Sequence, residues 1–483
     1  MWLHSKINKP SKKTIAVVGG GWAGAAAVAE LVFAGHQVDW YEASRQLGGR
    51  ARAVEVEGKM LDNGQHILLG AYRECLNLLK RLGIEQNDSF LRLPLQMVYP
   101  NGTGMHFIAP KLPAPLHLAF ALLKAHGLNN EDKFALARFS TTARWMDWQL
   151  NVDCSVSELL NRYQQTPRLI EFMWRPLCIA ALNTLPEHAS AQVFLAILRD
   201  SLGAKRSASD MLLPKTDLSR LLPDACARLL QENGGRVFLG ARIDHLEQHP
   251  SFWRIRSNTS TMIPEVNYDA LILATPAETS RRLLASMSGI QTPAALSPPI
   301  EYSFENSLEA SLEKSTEQFK SDTGLFDIPQ FEYEAICTCY LQYSSELRLA
   351  RPFFALRDDP SVQAFGQFVF DRGQLHSDHA GLLAVVVSAP QQEFELPHAE
   401  LSKLIARQLA NDFKMPALEN PLWSRIITEK RATFRCTPNL KRPQQTTAYA
   451  HLFLAGDYTH SDYPATLETT VRSGVTAARL ASS

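Results

Sequence analysis

The sequence predicts an α/β fold built on a parallel, Rossmann-type sheet, into which a second domain of mixed α+β character is inserted. Three observations predict it. Residues 14–42 read as strand, glycine turn, helix and strand; residues 451–478 read as a second strand, glycine turn and helix; and residues 236–276 hold apolar strands that return the chain to the same sheet.

Thr14-Ile-Ala-Val-Val18 is short, apolar and rich in β-branched residues, as a strand buried on both faces of a parallel sheet must be. Gly19-Gly-Gly-Trp-Ala-Gly24 follows at once, residues 25–34 read as a small-residue helix stopped by Gly35, and Gln37-Val-Asp-Trp-Tyr41 is the second strand, closing on Glu42. Each glycine has a reason. Gly19 allows the tight turn, Gly21 lets backbone approach a pyrophosphate, and Gly24 lets the helix pack close on the sheet. The helix start presents unpaired N–H groups and a partial positive charge to the phosphates. Glu42, about twenty residues on, sits where a carboxylate accepts the ribose hydroxyls and repels a 2′-phosphate, which disfavours NADP.

Arg45-Gln-Leu-Gly-Gly-Arg50-Ala-Arg52 comes next. Its G-G-R turn resembles the second phosphate-contacting motif of the amine oxidase and phytoene desaturase flavoprotein superfamily. The resemblance implies that backbone amides at Gly49 and the Arg50 guanidinium add contacts to the pyrophosphate. Simple NAD dehydrogenases have no such element, so the implied cofactor is FAD. Met60-Leu-Asp-Asn-Gly-Gln-His-Ile-Leu-Leu-Gly70 resembles the loop that runs along the flavin in the same superfamily. Within it Gln65 is a cofactor contact by resemblance. His66 reads either as a reactive polar group or as a satisfied core histidine.

Residues 112–128 are apolar nearly all round a helical projection, which marks a buried helix or one lying in a membrane interface; the stretch is too short to span. Residues 218–231 read as one amphipathic helix. Strands follow at Arg236-Val-Phe-Leu239, Phe252-Trp-Arg-Ile-Arg256 and Tyr268-Asp-Ala-Leu-Ile-Leu-Ala-Thr-Pro276. The resemblance implies that these return the chain to the cofactor domain and that the Ile243 backbone contacts the adenine. Residues 286–321 turn polar and low in complexity, as a surface insertion does. Short strands resume after Ser344, among them Phe365-Gly-Gln-Phe-Val-Phe370, followed by Asp371-Arg372-Gly373.

His451-Leu-Phe-Leu-Ala-Gly-Asp457-Tyr458-Thr459 is a strand running into a glycine turn and an acid, and Pro464-Ala-Thr-Leu-Glu468 opens the last helix. Gly456 permits close approach, and Asp457 can bond a ribitol hydroxyl. The helix that starts at Thr466 and Leu467 points its positive end at the flavin edge where negative charge gathers on reduction. Both extremities of the chain thus address one cofactor.

Several segments resemble one branch of the superfamily, the hydroxysqualene dehydroxylases: D-N-G-Q-H within 61–70, Trp174-Arg-Pro-Leu-Cys-Ile-Ala-Ala-Leu-Asn-Thr184 with Ala189-Ser-Ala191, Phe370-Asp-Arg-Gly373, and Glu429-Lys-Arg-Ala-Thr-Phe434 with Thr437-Pro438. The resemblance implies an FAD enzyme of squalene and hopanoid biosynthesis that removes the hydroxyl of hydroxysqualene reductively. Its substrate would be a hydrophobic C30 isoprenoid, and an unidentified electron donor would re-reduce the flavin. Such chemistry needs an acid near the hydroxyl; His66 and Asp371 are the candidates, with Arg372 and Tyr458 as orienting groups. A carotenoid or phytoene-type desaturase, an amine oxidase and a non-catalytic flavoprotein remain open alternatives.

Composition sets outer limits. With Lys+Arg and Asp+Glu both at 49, no basic excess points to nucleic acid. The seven scattered cysteines include no C-x-x-C pair, no metal site is expected, and Cys337 and Cys339 read as buried strand residues. Residues 1–13 lack the apolar run of a signal peptide, so a cytoplasmic protein is expected, peripheral on the inner face of the cell membrane if 112–128 is interfacial. The expected organisation is a discontinuous FAD-binding domain (12–83, 215–277 and 421–483) and a substrate-binding domain (84–214 and 278–420).

Overall fold

In the computed structural model, residues 12–102, 104–259, 262–287, 328–390 and 396–483 are described. Apart from residues 286 and 287, the polar insertion expected at 286–321 lies outside them. The chain enters through β1 (Thr14–Val18), α1 (Trp22–Phe33) and β2 (Gln37–Glu42), and returns much later as β3 (Arg236–Leu239) and β4 (Ala270–Leu273). A second sheet follows, from β5 (Tyr333–Gln342), β6 (Phe353–Ala355), β7 (Phe368–Asp371), β8 (Leu382–Ser388) and β9 (Trp423–Phe434). β10 (Leu452–Leu454) then rejoins the first sheet.

The first sheet runs β3-β2-β1-β4-β10, with every pair parallel. From β1 the chain steps to β2 on one side, while β4 and β10 extend the other. That reversal places a ligand crevice at the carboxyl end of β1, where Gly19 begins its turn. α1 covers one face with Ala25, Ala26, Ala27, Val28 and Ala29, all fully buried. The C-terminal helix, here α8, packs across it at Gly474, where an added Cβ would lie 2.2 Å from the Ala23 carbonyl oxygen. Only a residue without a side chain allows so close a crossing.

The helices that matter below, in chain order, are α2 (Arg73–Arg81), α3 (Leu116–Lys124), α4 (Asn130–Trp145), α5 (Arg175–Leu182), α6 (Ala277–Met287), α7 (His398–Phe413) and α8 (Leu467–Ser482). The second sheet is antiparallel throughout, in the order β6-β7-β8-β5-β9. Period-two alternation divides its faces. Cys337, Cys339, Leu341, Val385 and Val387 share a core with Leu401, Ile405 and Leu409 of α7, which puts both cysteines in an apolar interior. Thr338, Tyr340, Ala384, Phe368 and Phe370 occupy the opposite face, and the Tyr340 hydroxyl donates to the Asp62 carbonyl oxygen at 2.7 Å.

Some elements differ from expectation for identifiable reasons. α1 begins three residues early, at Trp22, because the glycine turn itself forms the first helical turn. The helix expected over 218–231 is two, Leu218–Leu221 and Pro223–Glu232, since a proline excludes helical geometry from the residue before it; Leu222 sits at φ −131°, ψ −59°. The apolar stretch 112–128 is helical only as α3, entered past Pro113 and Pro115 and left at an extended Ala125. Residues 423–434, expected in the cofactor domain, form β9 of the second sheet.

Candidate active site

The glycine turn after β1 is built against its neighbours. Gly19 has φ +117°, and a Cβ there would meet the Ala274 carbonyl oxygen at 2.3 Å, so the turn closes directly on the end of β4. Glu42 is held at the tip of β2: its Oε2 accepts from the Gly20 N–H at 2.5 Å and its Oε1 from the Ser44 N–H at 2.7 Å. Gly24 packs its backbone against that of Gly19. The G-G-R turn is stapled alongside, with Gly48 N–H donating to Gly20 O at 2.8 Å and Gly49 in backbone contact with Gly21. Ile243, 3% exposed, follows Ala241, whose N–H donates to the Glu42 carbonyl at 2.9 Å.

Arg50 joins the two extremities. Its Nη2 lies 2.6 Å from Asp457 Oδ1, and its Nη1 donates to the Ala432 carbonyl of β9 at 2.9 Å. One guanidinium therefore touches the N-terminal turn's own segment, the C-terminal acid and the second sheet. Gly456 N–H donates to Ser473 Oγ of α8 at 2.8 Å. Thr466 caps α8 by accepting from Thr469 N–H, and the N–H of Leu467, the first helical residue, has no acceptor within the helix, as at every helix start. Glu468 is buried and holds the start of α2, accepting from Glu74 and Cys75 N–H at 3.1 and 3.0 Å.

The catalytic candidates do not form one cluster. The Tyr458 ring covers Gly456 and its hydroxyl donates to Ser280 Oγ of α6 at 2.9 Å, so it ties the C-terminal turn to α6. Asp371 accepts from Gly373 N–H, Leu349 N–H and Gln374 Nε2 at 3.1, 2.9 and 2.8 Å. With both oxygens committed to holding the turn after β7, it is a poor choice of acid. His66 Nδ1 donates to Gly64 O at 2.7 Å, which leaves Nε2 as the ring's acceptor; burial lowers its pKa, against the opposing effect of that bond, so the ring is neutral near pH 7.

Arg372 faces a partner that sequence reasoning missed. It is 2% exposed, and its Nε and Nη1 have no hydrogen-bond partner among the described residues. The nearby carboxyl is Asp62, also buried, whose Oδ1 accepts from Leu218 N–H at 2.8 Å while Oδ2 has no partner. Burial pushes the Asp62 carboxyl up to about 7, although the Arg372 charge and the Leu218 bond pull the other way. The signal was present: Asp62 opens the very D-N-G-Q-H segment that carries the resemblance. Three residues on, Gln65 is anchored by its N–H to Thr338 Oγ1 at 3.4 Å, with both atoms of its buried side-chain amide unpartnered among the described residues.

These features define an oxidoreductase of Rossmann-type fold in which the N-terminal and C-terminal glycine turns are joined through Arg50 and Asp457. The match to known families agrees. The chain belongs to the flavin containing amine oxidoreductase family, which it matches over residues 23–481. It is 26% identical over 477 residues to the hydroxysqualene dehydroxylase of Sinorhizobium fredii, covering 97% of this chain and 98% of the relative. It is 24% identical over 498 residues to the zeta-carotene desaturase of Zea mays, covering 96% and 82%. Among solved structures, a putrescine oxidase triple mutant superposes with a TM-score of 0.66 at 15% identity over 97% of this chain and 98% of that one. That likeness establishes the fold.

Proposed function

We propose that the protein binds FAD in this crevice and reductively removes the hydroxyl of hydroxysqualene to give squalene, the step the resemblance assigns to hopanoid precursors. Similarity along the whole chain to a relative of that name supports the reading. The observation that carries it is the composition of the wall above the D-N-G-Q-H loop. Phe353, Phe368, Phe370 and Ala384 make that sheet face apolar, yet Asp62 Oδ2 and Arg372 Nε and Nη1 are buried beside it without partners. A hydrocarbon polyene offers such groups nothing, whereas an isoprenoid alcohol offers one hydroxyl.

The residues fit a flavin dinucleotide, since the side-chain amide of Gln65 is buried with both atoms unspent among the described residues. Reduced FAD bound there would supply a hydride equivalent to the substrate. The Gly19, Gly21 and Gly24 turn, the Gly49 amide and Arg50 would hold the pyrophosphate, Glu42 the ribose, and the Ile243 backbone the adenine. Asp457 would take a ribitol hydroxyl, and Thr466, Leu467 and Gln65 would hold the flavin. Asp62 holds a proton at Oδ2 and gives it to the departing oxygen, so the C–O bond breaks with its electron pair leaving on water. Arg372 stabilises the carboxylate left behind. His66 Nε2 accepts the hydroxyl's hydrogen bond and orients it, and the apolar sheet face excludes water from the allylic carbon. An unidentified donor restores the reduced flavin.

Anaerobic incubation with pre-reduced flavin and hydroxysqualene is expected to yield squalene. Absence of squalene together with desaturation of phytoene would overturn this reading in favour of a carotenoid-type desaturase. For the cofactor, Arg50→Ala should weaken FAD binding about 10–100-fold, the worth of a charge-assisted bond. Titration followed by flavin fluorescence measures this; unchanged affinity would remove Arg50 from the phosphate site.

A further inference from the structure

We propose that α3 and α4 form a docking face for an anionic lipid bilayer. α3 holds to the protein through His117 and Ala121, which are buried, and turns Leu116, Phe120 and Leu123 outward at 50%, 43% and 69% exposure. Their spacing of four and then three residues sets them on one stripe. α4 repeats the arrangement with Phe134, Arg138, Thr141 and Trp145 along a single outward line, Phe134 and Trp145 being 75% and 88% exposed. Among the described residues, five of the twelve large apolar side chains that are exposed lie on these two helices. Lys133 Nζ donates to Leu123 O at 3.0 Å and fastens the end of α3 to the start of α4.

Charge selects the occupant. Between residues 111 and 145 stand Lys111, Lys124, Lys133, Arg138 and Arg144, against Glu131 and Asp132 only, in a chain whose charges balance overall. Asp132 is buried and bonded to Asn129 N–H and Thr166 Oγ1, so it adds little to the surface. A second copy docked by a two-fold axis would set these cations against themselves. Phe, Leu and Trp flanked by Lys and Arg suit the boundary between headgroups and acyl chains. Among the described residues no helix is long and apolar enough to cross a membrane, so the contact is with one leaflet. Delivery of an apolar substrate through this face rests on the hydroxysqualene reading; the docking does not.

The test is co-sedimentation of the full chain with phosphatidylcholine vesicles, with and without phosphatidylglycerol. Binding is expected to be stronger on the anionic vesicles. The combined variant Phe120→Ser, Leu123→Ser, Phe134→Ser and Trp145→Ser should lose at least about tenfold in partitioning. Lys124→Glu with Arg138→Glu should lose the preference for the anionic lipid. Unchanged flavin absorbance and thermal midpoint certify folding of each variant. Equal partitioning of wild type and the serine variant overturns the proposal. So does a wild-type dimer, seen by sedimentation velocity, that the serine variant dissociates without any vesicle binding. Hydroxysqualene turnover assayed in detergent separates the two claims: turnover without vesicle binding removes the docking face alone, and vesicle binding without turnover removes the substrate reading alone.

Discussion

Asp62→Asn is expected to lower turnover by about 10²–10⁴-fold, the usual worth of a positioned acid, while making the folded chain more stable above pH 7. The substitution keeps what holds the loop. The amide oxygen still accepts from Leu218 N–H, and Tyr340 donates to the backbone carbonyl, which is untouched. What disappears is the titrating proton. The folded carboxyl stands at about 7 against 3.8 unperturbed, so from pH 4 to 7 the folded chain holds a proton that the unfolded chain has released. Stability therefore falls as pH rises through that window and stays low above it. At about 1.4 kcal/mol per unit, the wild-type penalty at pH 8 is roughly 4 kcal/mol at most, and the Asn variant escapes it. Urea unfolding at pH 4.5 and 8 measures the difference, which should be about 1 kcal/mol at the first and about 4 kcal/mol at the second. Wild-type kcat should decline above pH 7, as a carboxyl that must be protonated requires. A variant with full turnover and an unchanged alkaline limb would remove Asp62 from the chemistry.

That the acid proposed is Asp62, and not His66 or Asp371, shows where sequence reading stops. The N-terminal unit is legible because its constraints are local. Gly19 must turn, α1 must begin at once, and Glu42 must end the next strand, all within one β-α-β passage. The C-terminal unit is legible for the same reason, and only the charge of Arg50 hints that it meets Asp457. The environments of buried polar groups are set by residues far away in the chain. Asp371 looks reactive in F-D-R-G, but its oxygens are filled by Leu349, Gly373 and Gln374. Tyr458 looks poised beside Asp457, but Ser280, whose packing position no local pattern predicts, takes its hydroxyl. Asp62 looks like part of a loop until the charge of Arg372, from the turn after β7, acts on it. Periodicity, likewise, identifies 112–128 as apolar on every side without telling which side the protein covers; α3 buries only the side bearing His117 and Ala121.

The A-A-L-N-T segment, which narrows the resemblance as much as D-N-G-Q-H does, carries no chemistry in this arrangement, and Asn183→Ala should show why. Asn183 ends α5 in the left-handed region, at φ 46° and ψ 38°, a conformation Asn tolerates and Ala resists. Its buried amide is spent across three elements: Nδ2 donates to Thr433 Oγ1 of β9 at 2.9 Å and to Ala335 O of β5 at 3.3 Å, while Oδ1 accepts from Ala389 N–H at 2.8 Å. Thr184 extends the clasp, its Oγ1 accepting from Cys436 N–H at 3.0 Å. One side chain thus fixes the end of α5 to three strands or strand ends at once. Alanine removes these bonds, leaving Ala389 N–H only its longer bond to Ala335 O at 3.2 Å and Thr433 Oγ1 without the amide, and adds the strain of its own backbone, for a total loss on the order of 3 kcal/mol. Glycine at the same position removes the strain but does not restore the lost bonds, so Asn183→Gly should fall short of that loss by about 1 kcal/mol. Denaturant unfolding of the three chains gives the ordering wild type, Gly, Ala. If Ala unfolds at the wild-type midpoint, the clasp is not what holds α5 to the sheet, and the segment's part in the resemblance must be sought in the substrate instead.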